Sequence, residues 1–263
     1  MTNYLAKSEI IKSEKLGEDI FRITVLAPDI AREAKPGQFI MVRVAEGFDP
    51  LLARPFSVHQ ATANGWLQIL VKVVGKGTRL LSTLPEGRTL DLVGPLGRGF
   101  SLEKEANICL IGGGIGTAPL FYLAKEIMRS GSPRELLTLV GARNTPEIKA
   151  VVSCFEELGL AARLATDDGS TGHHGMVTEL MLQNMSAKAK WVVYCCGPHP
   201  MLRAVAKICR DNGWRCQVSM EAMMACGMGA CLGCAVPRAG LEGGYVHVCK
   251  DGPVFEMDEV AWL

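Results

Sequence analysis

Charge of one sign is scarce in this chain. Its 263 residues carry 28 Lys+Arg against 27 Asp+Glu, a net of +1, so neither the basic field that holds nucleic acid nor an acidic tail is present. Lys7, Glu9 and Lys12 interrupt any apolar run near the start, so no secretory signal is expected. Long apolar runs are lacking. The longest uncharged stretch, Ala106 to Ala124, holds Gly112, Gly113, Gly114, Gly116 and Pro119, which suits a strand, a tight turn and a helix rather than a membrane span. No repeat or low-complexity segment occurs. What the chain does have is apolar substance, 48% hydrophobic against 21% charged residues, enough for a packed core and for two domains or so. It also has ten cysteines. Without export they are expected in a reducing cytoplasm, where thiols serve as metal ligands or as inert core groups.

Three regions follow one another. Residues 1–100 read as β structure: IFRITVLAP at 20–28, FIMVRV at 39–44, two strands flanking Asn64-Gly65, and TLDLVGPLG at 89–97. Asn-Gly between β-rich runs is a strong hairpin signal, and short strands at this spacing predict a small antiparallel barrel. Residues 101–213 change rhythm. ICLI (108–111), LLTLV (136–140), ARLAT (162–166) and WVVYCC (191–196) each precede a turn and a helical pattern, which predicts a doubly wound parallel sheet. Residues 214–263 abandon that alternation and hold five of the ten cysteines.

Four of those five stand as C-x4-C-x2-C-x14-C: Cys226, Cys231, Cys234 and Cys249. This is the spacing of a plant-type [2Fe–2S] site. Gly227, Gly229, Ala230 and Gly233 between them are small, so the loop can wrap closely and aim N–H groups at sulfur. A four-cysteine zinc site is the competing reading, though zinc ligands usually come as two knuckles; unligated core thiols are another. Cys109, Cys154, Cys195, Cys209 and Cys216 lack ligand spacing and read as buried spectators. His173 and His174, in a turn-rich stretch, read as solvated loop residues.

The expected parallel strands end in Gly112–Gly116, Gly141-Ala142-Arg143, Asp167-Asp168-Gly169 and Cys196-Gly197-Pro198. In an open α/β sheet ligands bind at those carboxyl ends, and a glycine turn opening a helix admits a diphosphate. The pattern G-G-G-x-G is not the full dinucleotide fingerprint, so a purely structural glycine turn stays open. In the barrel region Arg54-Pro55-Phe56-Ser57 and Gly75-Lys76-Gly77-Thr78 offer an arginine for a diphosphate, a serine for a flavin ring nitrogen and backbone N–H groups for phosphate. An ordinary turn and a surface arginine would look the same.

Taken in order, RPFS, GKGT, GGGIGTAP and CGPHPM resemble the ferredoxin-reductase family, an FAD-binding barrel followed by a nicotinamide-binding α/β domain. The tail MACGMGACLGC…VHVCKDGPVF is similar to one branch, the iron–sulfur electron-transfer subunits of class B, NAD-linked dihydroorotate dehydrogenases. The resemblance implies that Arg54, Pro55, Phe56, Ser57, Leu70, Val71, Lys72, Gly77 and Thr78 hold FAD. It implies that Gly113, Gly114, Gly116, Cys196, Gly197 and Pro198 flank the nicotinamide of NAD, and that Cys226, Cys231, Cys234 and Cys249 ligate a [2Fe–2S] cluster. Phe56 stands where many members place a Tyr.

The same resemblance implies an FMN-containing dihydroorotate dehydrogenase subunit as partner, in a heterotetramer of two of each. Electrons would run from dihydroorotate to FMN, cluster, FAD and NAD. No general acid or nucleophilic triad is needed. Two rivals remain: an NAD(P)H–ferredoxin oxidoreductase or the diaphorase subunit of a hydrogenase or sulfhydrogenase, with the same cofactors, and a zinc-stabilised nucleotide-binding regulatory module.

Overall fold

A computed structural model of the chain describes residues 3–103, 106–131, 133–240 and 243–262. The outermost limits expected for the first and third units, residues 1 and 263, lie outside the described residues. The first unit contains β1 (Tyr4–Lys15), β2 (Ile20–Leu26), α1 (Pro28–Glu33), β3 (Phe39–Arg43), β4 (Arg54–Ala61), β5 (Trp66–Lys72), α2 (Lys76–Thr83) and β6 (Thr89–Leu96). Its strands close into an antiparallel barrel in the order β1-β2-β5-β4-β3-β6, as the strand spacing predicts. Alternation drives it: one face of each strand supplies Ile10, Ile23, Val25, Ile40, Val42, Val58, Leu67, Ile69, Val71, Leu90 and Leu92 to a common core. The Asn64-Gly65 turn joins β4 to β5, with Gly65 at φ +88, a value β-carbon-bearing residues avoid. β1 and α1 are elements the sequence patterns did not reveal.

The second unit alternates as expected: β7 (Asn107–Gly113), α3 (Thr117–Ser130), β8 (Glu135–Ala142), α4 (Thr145–Glu157), β9 (Ala162–Thr166), β10 (His173–His174), α5 (Val177–Asn184), β11 (Trp191–Cys196), α6 (His199–Asn212) and β12 (Arg215–Ser219). The middle strands β7 and β11 are buried from Ile108 to Gly113 and from Trp191 to Cys196, as parallel strands covered on both faces must be. Cys109, Ile111, Val193 and Cys195 meet α5 and α6 on one face; Ile108, Leu110, Val192 and Tyr194 meet α3 and α4 on the other. The sheet is therefore doubly wound. His173 and His174, expected in a loop, form the two-residue edge strand β10 beside β9, and His173 pairs with Glu179.

The sheet does not stop at residue 213. β12 pairs in parallel with β11, and β15 (Val254–Glu256) returns antiparallel beside β12. The order is β10-β9-β8-β7-β11-β12-β15. Between β12 and β15 runs the cysteine-bearing segment, whose described residues form one short hairpin, β13 (Ala235–Pro237) and β14 (Tyr245–His247). Cys234, Val248 and Cys249 join one continuous core with the sheet and with Phe39, Met41 and Leu96 of the barrel.

The units are tied by buried polar contacts. His59 Nδ1 lies 3.0 Å from the Ala118 carbonyl at the head of α3. The Tyr122 hydroxyl donates to Ala34 O at 2.9 Å. Tyr194 donates to Ser101 O and accepts from the Glu103 amide, holding the connection between barrel and sheet. Among the described residues no helix is long and apolar enough to cross a membrane.

Candidate cofactor cleft and cysteine site

A cleft of about 350 Å³ opens where the three parts meet, within the range of small-ligand sites. Its barrel wall is Arg54, Pro55, Phe56 and Ser57 of β4 with Leu70 and Lys72 of β5 and Thr78 of α2. Ile115 and Ala118 close it from the glycine turn, and Ser219 to Ala222, Met224 and Pro253 from the segment around the cysteines. Alternation along β5 explains the selection: Leu70 and Lys72 share one face, while Val71 turns to the barrel interior, where it is fully buried. The side chain of Val71 is thus the expected barrel position that does not reach the cleft.

Arg54 and Gly77 define one another. The Arg54 guanidinium donates to the Leu52 carbonyl and lies so near Gly77 that a β-carbon there would sit 2.8 Å from its Cζ. Thr78 Oγ1 accepts from the Val74 and Gly75 amides at 3.0 and 3.1 Å, fixing the first turn of α2. A guanidinium beside a helix start, with no side chain between them, is a cradle for a diphosphate.

At the sheet's carboxyl edge the glycines serve a packing purpose. A β-carbon on Gly116 would meet the Cys196 carbonyl carbon and Gly197 Cα at 2.7 Å, and one on Gly113 would meet Met201 Sδ at 2.7 Å and Pro198 Cδ at 2.8 Å. The turns after β7 and β11 therefore touch backbone to backbone, setting Gly113 and Gly116 against Cys196, Gly197 and Pro198, while Gly114 faces Glu147. Burial pushes the Cys196 thiol up to about 12, and the Glu221 carboxylate adds to it; this thiol stays neutral.

Two acidic residues here escaped the sequence reading. Glu221 lines the cleft, and desolvation raises its carboxyl. Its signal was CQVS before Met220-Glu221, an apolar run ending like the other sheet strands. Glu147 in the first turn of α4 is buried and accepts from Arg143 N and Nε at 3.2 and 3.0 Å, and it pairs with Lys72 of the cleft wall.

The four cysteines stand as two pairs. Cys234 and Cys249 are buried with sulfurs 3.2 Å apart; Cys231 donates its amide to Cys226 Sγ at 3.4 Å. Met228 N also points at Cys226 Sγ (3.5 Å), Gly229 N at Cys249 Sγ (3.1 Å) and Cys249 N at Cys234 Sγ (3.4 Å). Among the described residues no three His, Cys, Asp or Glu side chains converge on one point as a single ion requires. Two thiol pairs ringed by amide donors fit a two-iron rhomb, with a pair for each iron, better than one tetrahedral zinc. Desolvation opposes ionisation of Cys226, yet the Met228 and Cys231 amides draw its thiol down to about 6. Desolvation and Cys234 push Cys249 up to about 12; a nearby metal charge is what lets such a sulfur ionise. Leu232, beside Cys231, has φ +60, which no other non-glycine described residue shares; such strain collects at sites where the surroundings enforce it.

Barrel, doubly wound sheet and shared cleft define the class: a flavin- and nicotinamide-dependent oxidoreductase of the ferredoxin-reductase type. The oxidoreductase FAD-binding domain family matches residues 7–100, the oxidoreductase NAD-binding domain family residues 110–207, and the iron–sulfur cluster binding domain of dihydroorotate dehydrogenase B residues 221–261. The electron transfer subunit of dihydroorotate dehydrogenase B (NAD(+)) from Desulforamulus reducens is 39% identical over 244 residues, 90% of each chain. That from Geobacillus kaustophilus is 39% identical over 257 residues, 95% of this chain and 96% of its own. This chain belongs to the family of dihydroorotate dehydrogenase B electron transfer subunits, and it carries their FAD-binding, NAD-binding and iron–sulfur domains. A solved chain from an NADH-dependent reduced ferredoxin–NADP oxidoreductase, studied for flavin-based electron bifurcation, superposes with a TM-score of 0.86 at 33% identity. It covers 98% of this chain and 90% of its own.

Proposed function

We propose that this chain receives electrons from dihydroorotate oxidation in a partner FMN subunit and delivers them to NAD, through a [2Fe–2S] cluster and FAD, in pyrimidine biosynthesis. One observation carries the reading: the cleft and the cysteine pairs are built from the same segment. Met224 lines the cleft and Cys226 follows two residues on, within ~7 Å along even an extended chain. Bound together, a flavin and an iron–sulfur cluster supply the exchange between two-electron hydride and single-electron traffic.

The chain's own residues hold and shield. Arg54, with the N–H groups at Gly77 and Thr78, neutralises the diphosphate of FAD; Pro55, Phe56, Ser57, Leu70 and Lys72 bound the ring, and Val71 contributes only backbone and core packing. Gly113, Gly114, Gly116, Cys196, Gly197 and Pro198 flank nicotinamide at the crevice. Cys226 and Cys231 take one iron, Cys234 and Cys249 the other. Phe39, Met220 and Met224 keep water from the cleft.

Cys231 is exposed, its chain neighbours Leu232 and Met228 are 58% and 52% exposed, and Met223 earlier in the same segment is 92% exposed. This apolar rim about a ligand sulfur suits the docking of the FMN-containing catalytic subunit, two copies of each forming the heterotetramer, in the cytoplasm. The domain limits that go with this reading place the barrel at 1–100, the nicotinamide unit from 101 and the cluster unit between the sheet's last two strands, β12 and β15.

Anaerobically purified protein should contain FAD with equal amounts of iron and acid-labile sulfide. Co-expressed with an FMN-containing dihydroorotate dehydrogenase subunit, it should form a complex that reduces NAD with dihydroorotate. Colourless protein, or a complex inert toward NAD, would sink the reading. The 33% identity to a ferredoxin–NADP oxidoreductase chain favours a second one, the same cofactors serving ferredoxin; reduced ferredoxin supporting NAD reduction where dihydroorotate and its oxidising subunit do not would select it.

A further inference from the structure

Arg143 immediately follows β8, the strand next to β7 and its glycine turn. A dinucleotide whose diphosphate lies over such a turn sends its adenosine toward the neighbouring strand end, where an acidic residue suits a free ribose and a basic one a 2′-phosphate. Taken alone, Arg143 would favour the phosphorylated form.

The structure shows where that guanidinium is committed. Its Nε, and the Arg143 amide, donate to Glu147 Oε2, while Glu147 Oε1 pairs with Lys72 Nζ. Glu147 is anchored in turn, for its amide donates to Asn144 Oδ1 at 3.1 Å. Its side chain is 8% exposed, against 65% for Arg143, and Oε1 lies 3.2 Å from where a Gly114 β-carbon would be. Desolvation disfavours the Glu147 carboxylate, but Lys72 and Arg143 together hold it below the usual range, so it is charged at neutral pH. The Asp167 and Asp168 amides bond the Ala142 and Arg143 carbonyls at 3.1 and 3.2 Å, and Asp19 and Asp167 act on Arg143 electrostatically. The basic groups facing this strand end, Lys72 and Arg143, are thus outnumbered by Glu147, Asp167 and Asp19.

We propose that Glu147 is the residue that makes this site select the dinucleotide without a 2′-phosphate: it occupies Arg143 Nε, one arm of the fork that would grip a phosphate, and sets a fixed negative charge beside it. The proposal rests on the nicotinamide reading of the Gly112–Gly116 turn. Glu147 is a positioning residue, acting through Arg143. A 2′-phosphate brings nearly two negative charges, which the fixed Glu147 carboxylate repels, and with Nε engaged the guanidinium keeps only its Nη1/Nη2 edge for a bidentate contact.

The test is equilibrium titration of the FAD-loaded protein with NAD+ and with NADP+. Glu147→Gln keeps the side-chain shape and removes the charge. It should lower the ratio Kd(NADP+)/Kd(NAD+) at least about tenfold, and Glu147→Asp should restore most of the wild-type ratio. The gain should vanish in the Arg143→Ala/Glu147→Gln double variant. In the wild-type background, where Arg143 is already engaged, Arg143→Ala should move the ratio by less than about twofold. This last measurement leaves the carboxylate in place, so it decides the matter even if Glu147→Gln loses flavin. An unchanged ratio in flavin-loaded Glu147→Gln, or a large loss of NADP+ affinity in Arg143→Ala alone, overturns the proposal. Wild-type protein that binds neither dinucleotide overturns the nicotinamide reading and the proposal with it.

Discussion

Replacing Gly77 by alanine should weaken flavin binding without weakening the protein. The position lies in the first turn of α2, where alanine is preferred over glycine by about 0.5–1 kcal/mol. The new β-carbon would sit 2.8 Å from Arg54 Cζ and 3.1 Å from Nη2. Those atoms end a flexible side chain, so the guanidinium swings aside and the fold is spared. What is lost is its place over the helix start, a charge-assisted contact worth ~1.5–3 kcal/mol, or roughly 10- to 100-fold in FAD affinity. Arg54→Ala removes the same contact directly. The two changes should therefore not add: in an Arg54→Ala background Gly77→Ala has nothing to displace, so it costs no further affinity and adds a little stability. Apoprotein titrated with FAD, followed by flavin fluorescence, gives the four dissociation constants, and thermal unfolding gives the stabilities. Two full, additive losses would refute the idea that Gly77 acts through Arg54, and undiminished affinity in Arg54→Ala would refute the diphosphate role itself.

Other perturbations test the rest of the site. Cys231→Ser should leave FAD in place yet stop electron transfer from the partner to NAD, read as lost iron with unchanged flavin absorbance; full iron content and turnover would contradict its place as a ligand. Gly116→Ala, facing main-chain atoms of Cys196 and Gly197 that cannot step aside, should cost about 1–3 kcal/mol, visible as a lower unfolding midpoint. His59 is fully enclosed, and desolvation, only partly opposed by its bond to the Ala118 carbonyl, pushes it down to about 3. An unfolded histidine takes its proton near 6.5, so stability falls as pH drops from about 6.5 toward 3, by roughly 2 kcal/mol at pH 5. Denaturant unfolding of His59→Asn, which keeps a donor for Ala118, should show a flatter acid limb; an identical limb would mean that His59 is not held neutral.

Much of this architecture was legible because its signals are local. Glycine-punctuated apolar runs marked the sheet strands, Asn64-Gly65 marked the hairpin, and the spacing of Cys226, Cys231, Cys234 and Cys249 needed no tertiary information. β1 was hidden because YLAKSEIIKSEK buries only Ser8 and Ile10, so its apolar alternation is nearly absent. β12 was hidden by the change of rhythm at Trp214: a sixth parallel strand whose successor is a loop, not a helix, looks like the beginning of something else. Val71 turns its side chain into the barrel core, so any part it has at the cleft falls to its main chain, which a sequence motif does not distinguish from a side-chain role. Glu147 was beyond sequence reasoning, because nothing in TPEIK announces a lysine on a barrel strand 75 positions away.

Ser219 and Val254 are directly opposed across the last two strands of the sheet, so the cysteine-bearing excursion leaves and re-enters the framework at neighbouring points. Such an excursion is a cassette rather than an appendage. It cannot swing out on a tether, because both its feet stand on the same rigid edge, and the gap between flavin and metal is set by masonry instead of by diffusion. A tight turn joining those two feet would close the edge without it, leaving a reductase that still meets its nicotinamide but has lost its inlet from one-electron partners.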